Sequence, residues 1–154
     1  MPEITRAEVA DLPAILALQK LAFQTEAELY GDDSLPPLRQ SLEELCEEHG
    51  RTIILKATEA GVIIGSVRAL LREGTCLVGR LIVHPAHRRR GLGSALMQAI
   101  EATFPAAARF ELFTGDRSVA NQRLYHGLGY TELRRTHFPG AVTLVFMEKS
   151  AAPR

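Results

Sequence analysis

Between Thr75 and Thr114 the chain reads as strand, glycine-bearing turn, helix and strand, and no other stretch restricts its fold as much. "TCLVGRLIV" (75–83) is a β-rich run, and "HPAHRRRGLG" turns after it. Leu92, Leu96, Ala99, Ile100 and Phe104 then recur at helical spacing up to Pro105, and "RFELFT" (109–114) is again a strand. A strand–helix–strand crossover places its two strands parallel, with the helix packed on one face of their sheet.

The segments around this unit impose the opposite pairing. "TIILKAT", "GVIIGSVRALL" and "TCLVGRLIV" are separated only by "EAG" and "REG", which predicts an antiparallel meander. "YTELRRTHF" and "AVTLVFMEK" predict a closing hairpin pair. "EITRA" (3–7) reads as a first strand. Asp11 stands where it can cap a helix carrying Pro13 in its first turn, with Leu12, Ile15, Leu16 and Phe23 as the apolar stripe. "YGDDSLPP" breaks that helix, and a second places Leu38, Leu42, Leu45 and Cys46 on one face before Gly50. "SVANQRLYHGLG" is a short helix with Ser118 as its cap. The order is β-α-α-β-β-β-α-β-α-β-β: an α/β (α+β) domain with a mixed, mostly antiparallel seven-stranded sheet and helices on both faces.

At 154 residues the chain suits a single domain, residues 1–154, with one continuous core. Its 18 basic and 18 acidic residues cancel, which argues against a protein built to neutralise nucleic-acid phosphates. Cys46 and Cys76 form no CxxC pair and lie in apolar-periodic segments, predicting buried thiols in a reducing compartment. The acidic N-terminal stretch is unlike a signal peptide and no apolar run has membrane-spanning length, so the expected location is cytoplasmic, without membrane attachment.

The turn at Arg88–Arg90 opens a helix at Gly91. Helix N-termini offer unpaired N–H groups and partial positive charge, and so bind phosphate. Gly91 and Gly93 let a bulky ligand approach the backbone, and arginines at the lip add forked donors. The alternative is that three arginines simply decorate an exposed turn. Neither GxxxxGK[ST] nor GxGxxG is present, so this is neither a P-loop nor a dinucleotide fingerprint.

"RRRGLG" matches the R/Q-x-x-G-x-G/A signature of the GCN5-related N-acetyltransferases (GNAT) at Arg88, Gly91 and Gly93. The chain resembles that superfamily over nearly its whole length. The strand ending "RLIVHPAHR" precedes the signature, and "SVANQRLYHGLGY" is similar to the family's Asn…Tyr helix and its "LY…LGY" ending. The resemblance implies acetyl-CoA, or another acyl-CoA, as donor and no metal. Backbone amides of Arg89, Arg90, Gly91, Leu92, Gly93 and Ser94 would hold the pyrophosphate, with Arg88 and Arg90 near phosphates. The pantetheine arm would lie along Leu81, Ile82 and Val83 like an added strand. Tyr125 would protonate the departing thiolate, with Asn121, four residues earlier on the same helix face, contacting the cofactor.

The base is not evident. Many family members carry a glutamate near the positions of Leu77–Gly79, where this chain has "CLVGR". Glu111 is one substitute, Glu26 and Glu28 are others, and an amine that is already neutral needs none. Arg68, Arg80 and Glu111 interrupt apolar strands, where an unpaired charge is costly. They predict either an internal ion-pair network or an acceptor cleft whose arginines hold a substrate carboxylate. The "FQTEAELYGDDSLPP" segment places Glu26, Glu28, Tyr30, Asp32 and Asp33 where a cationic amine could be drawn in. His84 and His87 read as turn residues around Pro85. The expected partners are therefore acetyl-CoA and an amine acceptor, amino acid-like, peptide or other small molecule; the alternative is a non-catalytic acyl-CoA-binding or regulatory module on the same fold. A homodimer through the apolar "TLVFM" strand is compatible with the resemblance.

Overall fold

The computed structural model describes residues 2–32, 34–139 and 142–151. Asp33 of the acidic segment and Ala141 at the start of the last strand run lie outside the described residues. Alternating apolar positions build strands β1 (Glu3–Arg6), β2 (Ile53–Glu59), β3 (Val62–Arg72), β4 (Thr75–Val83), β5 (Arg109–Gly115), β6 (Thr131–His137) and β7 (Thr143–Ser150). Among the described residues these form one seven-stranded sheet in the order β1-β2-β3-β4-β5-β7-β6. Every neighbouring pair is antiparallel except β4 and β5, the two strands joined by the crossover.

Helices cover both faces. On one, α4 (Leu92–Ala102) buries Leu92, Leu96, Met97 and Ile100 against Val67, Val78 and Leu112. Burying side chains of this size stabilises by about 1.5–3 kcal/mol each, so this interface is a main source of cohesion. Helix α5 (Val119–Gly127) adds Tyr125 to the same cluster. On the opposite face α1 (Leu12–Tyr30) packs Leu12 and Ile15 against Ile54, and Leu18 and Ala22 against Ile82.

Local details depart from the sequence reading for identifiable reasons. The second helix is two: α2 (Pro36–Arg39) ends at Gln40, and α3 (Leu42–His49) restarts behind a capping box between Ser41 and Glu44. That break resets the helical phase. Leu45 is buried, whereas Leu42 and Cys46 are exposed. Cys76 is buried as expected, so only one of the two thiols follows the prediction. Asp11 occupies the position before α1, but its carboxylate accepts from Glu8 N at 2.8 Å and pairs with Lys56 at 2.8 Å, capping a preceding 3₁₀ turn. Ser118 precedes α5, yet its hydroxyl donates to Glu26 of α1 rather than capping its own helix.

Candidate active site

Strands β4 and β5 pair only from Thr75 to Leu77, opposite Arg109 to Glu111. Beyond this they separate, while β5 remains fully paired to β7 on its other edge. The cause lies in β4. Arg68 of β3 stands opposite Gly79 and Ser66 opposite Ile82, so Arg80 and Leu81 together face the single residue Val67. Arg80 has φ 51°, in the left-handed region. An extra residue of this kind is a bulge, and bulges bend and twist their strand away from its neighbour. The bulge thus opens the sheet where the crossover turn ends.

The opening leads to a cavity of about 850 Å³. Its wall includes Leu81 on β4, Leu112, Thr114 and Gly115 on β5, and Asn121 and Tyr125 together on α5, the helix face their spacing predicted. Tyr125 is 6% exposed, and burial pushes its phenol well above the ordinary range, with Glu26 close enough to add to the effect. The hydroxyl is therefore held protonated.

At the other end of the opening, Gly91 precedes α4 with φ 77°, and a Cβ there would meet nothing within 4 Å. That open, exposed space at the start of an 11-residue helix leaves room for a phosphate group. Gly93 is different: a Cβ there would lie 3.2 Å from Leu124 Cδ2, so its smallness serves the approach of α5 to α4. Arg88 donates to Ala22 O and Thr25 Oγ1, each at 3.1 Å, tying the turn to α1. Arg90 pairs with Glu59 at 2.9 Å. Arg89, exposed at φ 64°, makes no side-chain ion pair among the described residues. Ile82 points to α1 and Val83 packs with the α4 cluster, leaving the β4 backbone to face the opening.

The charged residues do not form the single network that was one of the two expectations. Glu111 is held by Arg109 at 2.8 Å, beside Glu148, and does not line the cavity. Arg68 bonds to Glu48 of α3 and to the buried Gln19 of α1. Desolvation lowers the Arg68 pKa to about 10, with Glu48 opposing and Arg80 reinforcing the shift. Arg80 lines the same cavity. In the acidic segment, Glu26, Tyr30 and Asp32 line the cavity, whereas Glu28 is exposed outside it. Tyr30 Oη accepts from Arg117 N at 2.8 Å and lies directly over Gly115. Sequence spacing did not reveal Glu48, Gln19, or the Tyr30–Gly115 contact. Each depends on partners brought together from distant segments. Only Gly79 beside an arginine hinted at the bulge.

The family model for the acetyltransferase (GNAT) family matches residues 13–130, and the chain belongs to that family. Its architecture is shared by PaiA N-acetyltransferase from Thermoplasma acidophilum, solved in complex with coenzyme A: 18% identity, TM-score 0.85, covering 98% of this chain and 99% of that one. The ribosomal-protein-S18-alanine N-acetyltransferase from Escherichia coli is 21% identical, with a TM-score of 0.79 over 99% of this chain and 97% of that one. YncA from Salmonella typhimurium, solved with its cofactor acetyl-CoA, is 22% identical with a TM-score of 0.73 over 100% and 98%. In sequence, the UPF0157 protein YqkA of Bacillus subtilis (strain 168) is 28% identical over 116 residues. That match covers 75% of this chain and 33% of YqkA, so the chain spans about a third of the length of this curated relative. No helix among the described residues is long and apolar enough to cross a membrane.

Proposed function

We propose that this chain, acting as a single domain, transfers an acetyl group from acetyl-CoA to a primary amine by direct attack. The observation that carries the reading is that β4 and β5 cease to pair after Leu77, beside a cavity walled by Leu81 and Tyr125, on the strand that leads into the helix start at Gly91. Acetyl-CoA supplies an activated thioester. The amides from Arg89 to Ser94 would hold its pyrophosphate, and the unpaired β4 edge at Leu81–Val83 its pantetheine arm. Arg88 orients the turn by its bonds to α1 rather than reaching outward.

Tyr125, kept protonated by burial, is the proton donor to the leaving sulfur. The base role passes from Glu111, held by Arg109 away from the cavity, to Glu26. Glu26 lines the cavity close to Tyr125, and its hydrogen bond from Ser118 orients it. An ammonium entering beside this carboxylate loses its proton there before attack. Cys76 is buried with its thiol pushed up to about 12, Cys46 is exposed, and neither is on the cavity wall, so no nucleophilic cysteine serves the cavity.

The test is thiol release from acetyl-CoA across a panel of primary amines, alongside calorimetric acetyl-CoA binding. Tyr125→Phe should lower kcat about 100-fold with acetyl-CoA affinity retained. Wild-type turnover in that variant would overturn the assignment, and binding without transfer to any amine would overturn the activity.

A further inference from the structure

Resting on the transferase reading, we propose that the acceptor is an amino acid-type molecule whose carboxylate is held by Arg80. The cavity contains an unbalanced charge group. Arg68 and Arg80 both face Glu48, and each is partly desolvated. Glu48 and Gln19 engage Arg68. Arg80 makes no ion pair with a described residue, and its Nε is enclosed without a hydrogen-bond partner. Two guanidiniums against one carboxylate leave one positive charge on the wall of a largely apolar pocket. A half-buried guanidinium whose Nε is enclosed without a partner is costly, and the forked geometry of arginine matches a planar carboxylate.

The bulge that opens the sheet also fixes this group. A left-handed φ of 51° in the middle of a strand is unfavourable for a residue with a Cβ, and glycine would relieve it. Arg80 occupies the strained position nonetheless, which places its side chain on the cavity wall rather than in regular strand alternation.

Arg51 and Arg72 also line the cavity but are exposed to water, so within the withdrawn group of Arg68, Arg80 and Glu48 the surplus charge is single, and a carboxylate suits it better than a phosphomonoester dianion. Across the same cavity Glu26 supplies the opposite charge for an ammonium, near Tyr125. Phe23, Leu70, Phe113 and Phe138 line the space and favour an apolar side chain. The acceptor class that satisfies all three features is an apolar α-amino acid or a small peptide with a free C-terminus. In the reaction the acceptor nitrogen forms its bond to the acetyl carbonyl carbon, and the carbon–sulfur bond breaks. The ammonium gives one proton to Glu26, the thiolate takes a proton from Tyr125, and the second proton that the nitrogen sheds as the amide forms restores the Tyr125 phenol.

The experiment compares L-phenylalanine with L-phenylalaninamide as acceptors, and L-leucine with L-leucinamide, in wild type, Arg80→Gln and Arg80→Lys. Wild type should favour the carboxylate by roughly 10- to 100-fold in kcat/KM, mainly through KM. In Arg80→Gln that ratio should fall towards one, with partial recovery in Arg80→Lys. Calorimetric binding of N-acetyl-L-phenylalanine against its amide reads the same contact without turnover, so a failure of transfer is separable from a failure of carboxylate recognition. Circular dichroism and acetyl-CoA affinity report whether each variant is folded. Equal wild-type use and binding of acid and amide, or an unchanged preference in a folded Arg80→Gln, would overturn the proposal.

Discussion

Removing Glu48 should harm this protein more than removing the arginine it pairs with. Arg68 has 7% of its side chain exposed and Glu48 27%, so the pair is largely withdrawn from water. Deleting one member of a fully buried pair costs about 3–5 kcal/mol, because the remaining charge is left uncompensated. Scaled for the partial exposure of Glu48, Glu48→Gln should destabilise by about 2–3 kcal/mol. It leaves Arg68 beside Arg80, which already disfavours the charge of Arg68. Arg68→Met acts differently. It removes one of two repelling cations and leaves Glu48 to Arg80, at the expense of the hydrogen bond to Gln19. An unsatisfied buried amide oxygen costs on the order of 1 kcal/mol, so this variant should lose about 1 kcal/mol. Urea unfolding with linear extrapolation measures both, and the thermal midpoint of Glu48→Gln should fall by roughly 4–12 °C. The double variant should cost less than the two single losses added, because both act on one charge group. If Arg68→Met proves as damaging as Glu48→Gln, or the two losses simply add, the picture of two guanidiniums sharing one carboxylate is wrong.

Other perturbations test the geometry around this site. A Cβ at Gly115 would fall 2.0 Å from Tyr30 Oη and 2.7 Å from its Cζ, so Gly115→Ala should expel Tyr30 at about 2 kcal/mol, measured by urea unfolding. Combining it with Tyr30→Ala should recover part of that loss, and a double variant no better than Gly115→Ala would count against the contact. Gly91→Ala fits the available space but not φ 77°, so it should cost about 1 kcal/mol and weaken acetyl-CoA binding in calorimetry. The thiols should separate in a titration with an aromatic disulfide reagent at pH 8. Exposed Cys46 reacts in the native protein, whereas Cys76, pushed up to about 12 and buried, holds roughly one thiolate in ten thousand and reacts only after denaturation.

Much of this architecture was legible in local patterns. Short turns between "TIILKAT", "GVIIGSVRALL" and "TCLVGRLIV" leave no room for anything but antiparallel pairing, and the helix between "TCLVGRLIV" and "RFELFT" forces those two strands parallel. The start of α4 at Gly91 and the shared face of Asn121 and Tyr125 are likewise consequences of near neighbours in the chain, and the structure has them as read. Spacing on a helix or strand specifies which side chains share a face. It does not specify what stands opposite that face.

Tertiary packing decided the remainder. The break at Gln40 moved Cys46 to the surface because a capping box at Ser41 competed successfully with a continuous helix. Glu111 was drawn to Arg109 of its own strand, which also holds Glu148 of β7, while Glu48 came from a separate helix to meet Arg68. No periodicity marks the bulge at Arg80, since an extra residue in one strand exists only relative to the strand it pairs with. Charge pairing and register are relations between distant segments. The chain's sequence specifies its elements one by one, and only their assembly determines which guanidinium is satisfied and which is left facing the cavity.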